Sequence, residues 1–524
     1  MGQAFKIPNE NCFLDSLVQG YYNNFEHKGH NLMILPSNFY IKVAKSLFNQ
    51  YNHDKFLLPQ FTTINDYLSI DDPFLIFPEY IELPSEINLA EFKIIIYNFF
   101  TKWSKSRIYQ DKYSSYYLNK KDFTQRFTNL YLNIEEQLID PYNIIKLKLT
   151  DNTISEQIIL DFLNYFEPNW RNYKNEHKIV TLKEKQNLTL SKKVELLPKL
   201  TKFDNIILAG TTGINPLTMS LVSAVTKHPK GIFIYHEKQE SNNIINNIKP
   251  NLSIELLEKN LNIETIKYWH KKKVIQQTLT EIVTKEINLE AEYISKIIAS
   301  SKEKQVVLTN NQELRDLILF KINKYVESLK FNLSGYDKIF KLFYCFYKVN
   351  NPEEIEHLFY FYLDIKIKIE HKEYYKIKKR PDEIINFIAH HIPPELLNEL
   401  EILKNNIHKI YKKEFSQLLE LINPERKTIY YEDDKLLIIQ PKELRLINYN
   451  NIIIADVNQD LWQSNIDKIF NLKAIKNNVI NLQEIRESQI STDFFRVTKS
   501  KNIVFTRAQN KQDKENFIYI FYQY

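Results

Sequence analysis

Apolar residues fall in two patterns along this chain. Short unbroken runs alternate with longer stretches in which apolar positions recur every three or four residues. Ile206-Ile207-Leu208-Ala209 and Ile232-Phe233-Ile234 are runs of the first kind, and Leu217, Leu221 and Ala224 between them follow the second. A short apolar run bounded by turn residues predicts a buried strand, and the helical spacing predicts a helix. Gly210 and Gly213 mark the turn after the first run, Pro216 stands at the helix start, and Pro229 and Gly231 close it. Proline is well placed there because the first helical N–H has no partner inside the helix. The segment from Asn205 to Tyr235 therefore reads as β–turn–α–β, the building block of a parallel sheet. The chain has only seven glycines, so two in one short turn point to a backbone that needs positive φ or close approach.

The same alternation appears elsewhere in patches. Strand-like signals occur over 1–64, 201–275, 276–345 and 427–524. The stretches 65–200 and 346–426 are rich in helical periodicity instead. In the second of these, Glu353 to Ile369 and Pro394 to Leu421 read as helices, with Pro393-Pro394 as a breaker. No repeat period is visible, which argues against a solenoid. The fold class expected is α/β, a parallel-sheet core interrupted by helical insertions.

Composition adds limits. A chain of 524 residues is too long for one simple core. Hydrophobic residues at 44% and charged residues at 26% are ordinary for a globular protein. Cys12 and Cys345 are the only cysteines, too few for a disulfide framework or a four-cysteine metal site, and they fit a reducing cytoplasm. No apolar run approaches the roughly 20 residues of a membrane span, and the N-terminus lacks a signal-peptide core. A cytoplasmic protein without membrane contact is expected, with no cofactor and no metal.

The net charge of +6 says little over this length, but basic residues cluster locally. Lys102, Lys105, Arg107, Lys112, Lys120, Lys121 and Arg126 interleave with Trp103, Tyr109, Tyr113, Tyr116, Tyr117, Phe123 and Phe127. A second cluster, Lys366 to Arg380, includes Lys376, Lys378, Lys379 and Arg380 beside Tyr374 and Tyr375. Cations for phosphates and rings for bases suit single-stranded DNA. An exposed helical face over an aromatic core has the same pattern.

Four segments, taken in order, resemble the alphaproteobacterial AddB family, one subunit of the AddAB helicase–nuclease that processes double-strand DNA breaks. The first runs from Phe5 to Tyr67 and contains FKIPNENCFLDSL, LMILPSNFY and LLPQFTTINDY. The second is the strand–turn–helix around Gly210, Thr211, Gly213 and Pro216. The third, Ile287 to Val326, has an acidic helix, a strand at Gln305–Thr309 and a helix from Gln312. The fourth is Lys435 to Trp462, with Glu443, Arg445, Asn458 and Trp462 in matching places, followed by STDFF (Ser491 to Phe495) and NIVFTRA with Thr506 and Arg507. Together they cover about half of the chain in patches.

This resemblance implies two RecA-like lobes of the superfamily 1 helicase type. The first lobe is made of 1–64 and 201–275 around a helical insertion at 65–200. The second is made of 276–345 and 427–524 around an insertion at 346–426. It also implies a catalytically inert member. The phosphate-cradling turn of a motor maps to Pro8-Asn9-Glu10-Asn11-Cys12, which has no glycine, lysine or hydroxyl and adds an acid. Ala209 and Gly210 stand where metal-holding carboxylates would follow the strand. Arg507 matches the arginine that contacts ATP in active relatives, and reads as a relic or a DNA-phosphate contact. Ala508 is followed by 16 residues, so a member without the family's nuclease domain is expected. The partners implied are DNA, as single strands or break ends, and an AddA-like helicase–nuclease subunit.

Other constellations compete. Asp433-Asp434 followed by Lys442 imitates the acid-then-lysine spacing of a metal-dependent nuclease, although Pro441 in the second strand would break a ladder. A degenerate protein with no retained activity is a further alternative. His27 and His30 have ligand-like spacing in a polar loop, and His390-His391 would diverge on a helix. Trp462 could stack on a base or pack between lobes.

Overall fold

The computed structural model describes residues 2–8, 11–25, 29–51, 57–64, 72–116, 118–145, 154–211, 216–237, 255, 258, 267–269, 278–324, 335–408, 430–444, 446–447, 449–457, 502–508, 510–511 and 514–515. Its strands, in chain order, are β1 (Gln3–Ile7), β2 (Asn31–Leu35), β3 (Gln60–Thr63), β4 (Ser85–Glu86), β5 (Ile179–Val180), β6 (Asn205–Ala209) and β7 (Gly231–His236). They continue with β8 (Lys267–Tyr268), β9 (Thr278–Thr284), β10 (Gln305–Leu308), β11 (Tyr431–Glu432), β12 (Leu436–Ile439), β13 (Asn451–Ile454) and β14 (Asn502–Ala508), followed by a short antiparallel pair, β15 (Asn510–Lys511) and β16 (Lys514–Glu515).

Two six-stranded sheets result, in the orders β3-β2-β6-β7-β1-β8 and β11-β12-β10-β13-β14-β9. Every pairing within these two sheets is parallel except β11 with β12. The fold is therefore α/β, as the apolar runs predict: NLMIL of β2 and NIII of β13 are buried on both faces, as in a covered parallel sheet. Numbering the strands of each sheet from its own start, and setting aside the edge strands β8 and β11, both sheets run third-second-fourth-fifth-first. The chain thus builds one topology twice without a sequence repeat.

Helices cover the sheets. In the first, Phe13–Asn24 follows β1, Asn38–Tyr51 follows β2 and Pro216–Lys227 follows β6. Gly20 lies in the first of these, and a Cβ there would fall 2.2 Å from the Trp269 ring. The bare backbone lets Trp269 lie on the helix and donate to the Leu17 carbonyl at 3.1 Å. In the second sheet, Ile287–Ser300 follows β9 and Gln312–Lys321 follows β10.

A helical insertion separates β3 from β6, and another separates β10 from β12. The first packs Phe92, Phe100, Trp103, Phe127, Phe162, Phe166 and Trp170 into an aromatic core. It is tied to the first sheet by Lys193, whose ammonium pairs with Asp72 at 3.3 Å and donates to the Thr63 carbonyl at 2.7 Å, all in the interior. The second insertion packs Gly335–Lys348, Pro352–Leu363, His371–Lys378, Pro381–His391 and Leu397–His408 around Phe343, Phe346, Phe359 and Tyr374. The expected helix from Glu353 to Ile369 is shorter. It ends at left-handed Asp364 (φ 61°), and Ile365 to Ile369 continues without helix. Alternating Ile and Lys has a period of two, which suits extended chain with its lysines turned outward. In the expected helix Pro394 to Leu421, a 3-10 turn (Pro394–Leu396) precedes Leu397–His408, and the remainder lies outside the described residues.

Candidate functional site

Strands β1, β7 and β6 are neighbours and parallel, so Ile7, His236 and Ala209 end on one edge of the first sheet. In open parallel sheets this corner at the carboxyl edge is the usual place for a phosphate-binding turn. The Asn11 N–H closes the turn onto the Pro8 carbonyl at 3.1 Å, and Cys12 then opens the helix without a side-chain cap. Asn9 and Glu10 lie outside the described residues. The first N–H groups of a helix have no partner within it and favour an anion. Here the Leu14 N–H donates to the Leu446 carbonyl at 3.0 Å, a main-chain group from the crossover between β12 and β13.

Leu446 also fills the corner with its side chain. It is 1% exposed and belongs to the cluster of Ile7, Phe13, Leu14, Leu17, Ile207 and Ala209. Gly210 has φ +77°, the left-handed conformation expected of this turn, and a Cβ there would lie 2.4 Å from Leu446 Cδ1. Ile447 joins the same cluster, Leu444 faces the second sheet, and Tyr449 touches both cores. Burial pushes the Tyr449 hydroxyl up to about 12. Burying Leu446 and Ile447 is worth about 1.5–3 kcal/mol each. The sequence carried one faint sign of this: three apolar residues, Leu444, Leu446 and Ile447, in a short connection. Thr211 is half-buried and Pro216 exposed at its helix start, while Gly213 lies outside the described residues.

The matching edge of the second sheet is polar. Glu290, fully buried in the helix after β9, accepts the Asp456 N–H at 2.8 Å and the Thr506 hydroxyl at 2.6 Å through one oxygen. Asp456 follows β13 with φ 53° and accepts from the Asn311 amide at 2.6 Å. The Asn311 N–H in turn donates to the Thr309 hydroxyl at 2.9 Å. Thr506, singled out by the resemblance, thus supports a buried network. Arg507 pairs within the sheet with Glu281 of β9 at 3.3 Å.

The basic–aromatic clusters divide by residue type. Trp103, Tyr109, Tyr113, Phe123 and Phe127 are buried in the first insertion and present no ring to a base. Of the two arrangements open for these rings, the aromatic core is the one found. Lys102, Lys105, Arg107, Arg126 and Tyr116 are exposed, and Lys120 and Lys121 are half-buried. Tyr117 lies outside the described residues. In the second insertion Lys376, Lys379 and Arg380 are exposed. Lys378 instead turns back, donating to the Val349 carbonyl and, at 2.5 Å, to Asn350 Oδ1. Tyr374 is buried, but Tyr375 and Tyr360 are about half exposed, with the Lys366 ammonium 5.8 Å from the Tyr360 ring centre. Lys366, Lys368 and Lys372 are exposed as well.

The competing constellations have local roles. Asp433 accepts the N–H groups of Lys435 and Leu436, both at 2.8 Å, and the Tyr431 hydroxyl at 2.9 Å, closing the β11–β12 hairpin. Burial opposes its charge, but these hydrogen bonds outweigh it and hold the carboxyl below its ordinary value. Pro441 lies beyond β12 and starts a 3-10 turn with Glu443, so it breaks no ladder; Glu443 accepts the Gln440 N–H at 3.2 Å. His390 and His391 each bond a carbonyl one turn back, through Nδ1. Cys345 is half-buried, and burial pushes its thiol up. His27, Arg445, Asn458 and Trp462 lie outside the described residues. Among the described residues no group of three or more His, Cys, Asp or Glu could hold a metal, and no helix is long and apolar enough to cross a membrane. No protein-family model matches this chain, and neither does any curated protein.

Proposed function

We propose that this chain is a nucleotide-independent scaffold of helicase plan, AddB-like, with two RecA-like lobes. It engages single-stranded DNA or break ends together with an AddA-like motor subunit. The observation that carries the reading is Leu446: its carbonyl takes the helix N–H that a phosphate would need, and its side chain occupies the space over Gly210. The doubled strand order supports a two-lobed plan. The ends of β1 and β6, separated only by β7, fit the places where a motor would hold phosphate and metal.

DNA contact is assigned to the second insertion, where exposed cations and exposed rings occur together. Lys366, Lys368, Lys372, Lys376, Lys379 and Arg380 neutralise phosphates, and Tyr360 and Tyr375 stack on bases. Fluorescence anisotropy with a labelled single-stranded oligonucleotide over a salt series tests this. Each phosphate contact contributes about −0.7 to the log–log slope, so replacing Lys376, Lys379 and Arg380 by alanine flattens it by about two units. The matching triple at Lys102, Lys105 and Arg107 has a smaller effect. Absence of binding by the wild type at low salt would end the DNA reading.

A further inference from the structure

We infer that the two α/β units are clamped into one body at two separate places, so that the chain presents partners with a preset spacing and does not open and close. The first clamp is the crossover between β12 and β13. Leu444 faces the second sheet, Leu446 and Ile447 are buried against the first, and Tyr449 touches both cores. The Leu14–Leu446 hydrogen bond fixes its main chain to the first helix. At the rim, Lys42 of the first unit reaches Glu432 of the second at 3.9 Å, and Phe39 meets Tyr430 edge-on with ring centres 6.2 Å apart.

The second clamp joins the helical insertions. Helix Leu89–Trp103 is buried at every position from Phe92 to Tyr97. Apart from Lys93 these positions are apolar or aromatic, and a stretch buried on every side needs a packing partner on every side. Phe92, Ile95, Ile96, Phe100 and Trp103 belong to the core of its own insertion. Ile94 and Tyr97 belong to the core of the other, with Ile339, Phe343 and Leu403. Because one insertion interrupts the first unit and the other interrupts the second, this shared helix bridges the halves independently of Leu446. Close-packed interfaces of this kind part as units or not at all. A hinge would have to expose both.

The test is electron–electron distance measurement on the full chain carrying spin labels at Lys227→Cys and Lys302→Cys, exposed positions in the first and second units, with Cys12 and Cys345 replaced by serine. One narrow distance peak is expected, unchanged by Mg-ATP or by a single-stranded oligonucleotide. A second peak, or a shift beyond about 5 Å, the size of a one-turn displacement, would overturn the clamps. Adding Leu446→Gly alone or Tyr97→Ala alone should leave the peak in place, and the two together should broaden it at least twofold. If the combined variant does not fold, the wild-type measurement still decides. The inference stands apart from the proposed function: nucleotide binding without a distance change would remove that reading and leave the clamps intact.

Discussion

The two sheets share one strand order, yet their equivalent edges carry opposite chemistry. In each, the fourth strand is followed by a left-handed residue: Gly210 after β6 and Asp456 after β13. In each, a helix follows the first strand and presents its first turns to that edge. In the first unit the helix offers the Leu14 N–H to a carbonyl and apolar side chains to Leu446. In the second it offers Glu290 to the Asp456 N–H and the Thr506 hydroxyl. Topology therefore sets where an edge lies, and a few residues decide whether it is closed by packing or by hydrogen bonds.

The comparison can be broken from either side. The largest effect is expected in the first unit. Leu446→Ala removes a buried side chain from a filled corner and should cost about 2–5 kcal/mol, read from denaturant melts. An unchanged midpoint would mean that the corner is not closed by packing. In the second unit, Glu290→Leu orphans two buried donors but also removes a buried carboxyl, so about 1–3 kcal/mol in all is expected, while Glu290→Gln keeps an acceptor and should recover much of the loss. If the two variants cost the same, the edge depends on size and not on hydrogen bonding. Gly210→Val combines a strained φ with overpacking against Leu446, and about 1–3 kcal/mol is expected by thermal melting. Pairing it with Leu446→Ala should relieve part of that cost, because the obstructing side chain is gone.

The smallest effect separates the first helical insertion from the rest. Burial, and next to it the Glu184 and Glu167 carboxylates, push the Glu135 carboxyl up to about 8, against the Thr181 hydroxyl and the Lys174 ammonium. The folded state then holds a proton that the unfolded chain releases near the ordinary value of 4.5. Stability from this group is complete below that value and is lost as pH rises toward about 8. Glu135→Gln mimics the protonated form. Its melting temperature should rise relative to wild type from about pH 5 to about pH 8, corresponding to about 1–2 kcal/mol after allowing for partial solvation. A pH-independent gap would place Glu135 in ordinary solvent.

Much of the fold was legible because its strands are buried on both faces. Unbroken runs such as Ile206–Ala209 and Val306-Val307-Leu308 have little choice but to be central strands, and Pro216 marks its helix start by its own chemistry. Edge strand β9, TLTEIVT, mixes polar and apolar residues because much of it is exposed, and it carries no comparable run. The positive φ at Gly210 was legible from the scarcity of glycine. What closes over it was not, since Leu446 lies 236 positions further along (446 − 210) and its contact depends on how two units meet. For the rings of the first basic cluster a core and a base-stacking surface were both open, and burial of Trp103, Tyr109, Tyr113, Phe123 and Phe127 decides for the core. Tyr360 and Tyr375 were not separable from buried Tyr374 by composition, because neighbouring helical positions point about 100° apart and only the packing of each helix decides which ring turns inward.

On the proposed reading, the corner at the end of β1, which Leu446 fills, takes no nucleotide. Calorimetric titration of the full chain with ATP in excess Mg²⁺ tests it most directly. No saturable heat is expected, whether or not a single-stranded oligonucleotide is present. A saturable isotherm with a micromolar Kd would contradict it, because the Leu14 N–H and the space over Gly210 would then have to be free of Leu446.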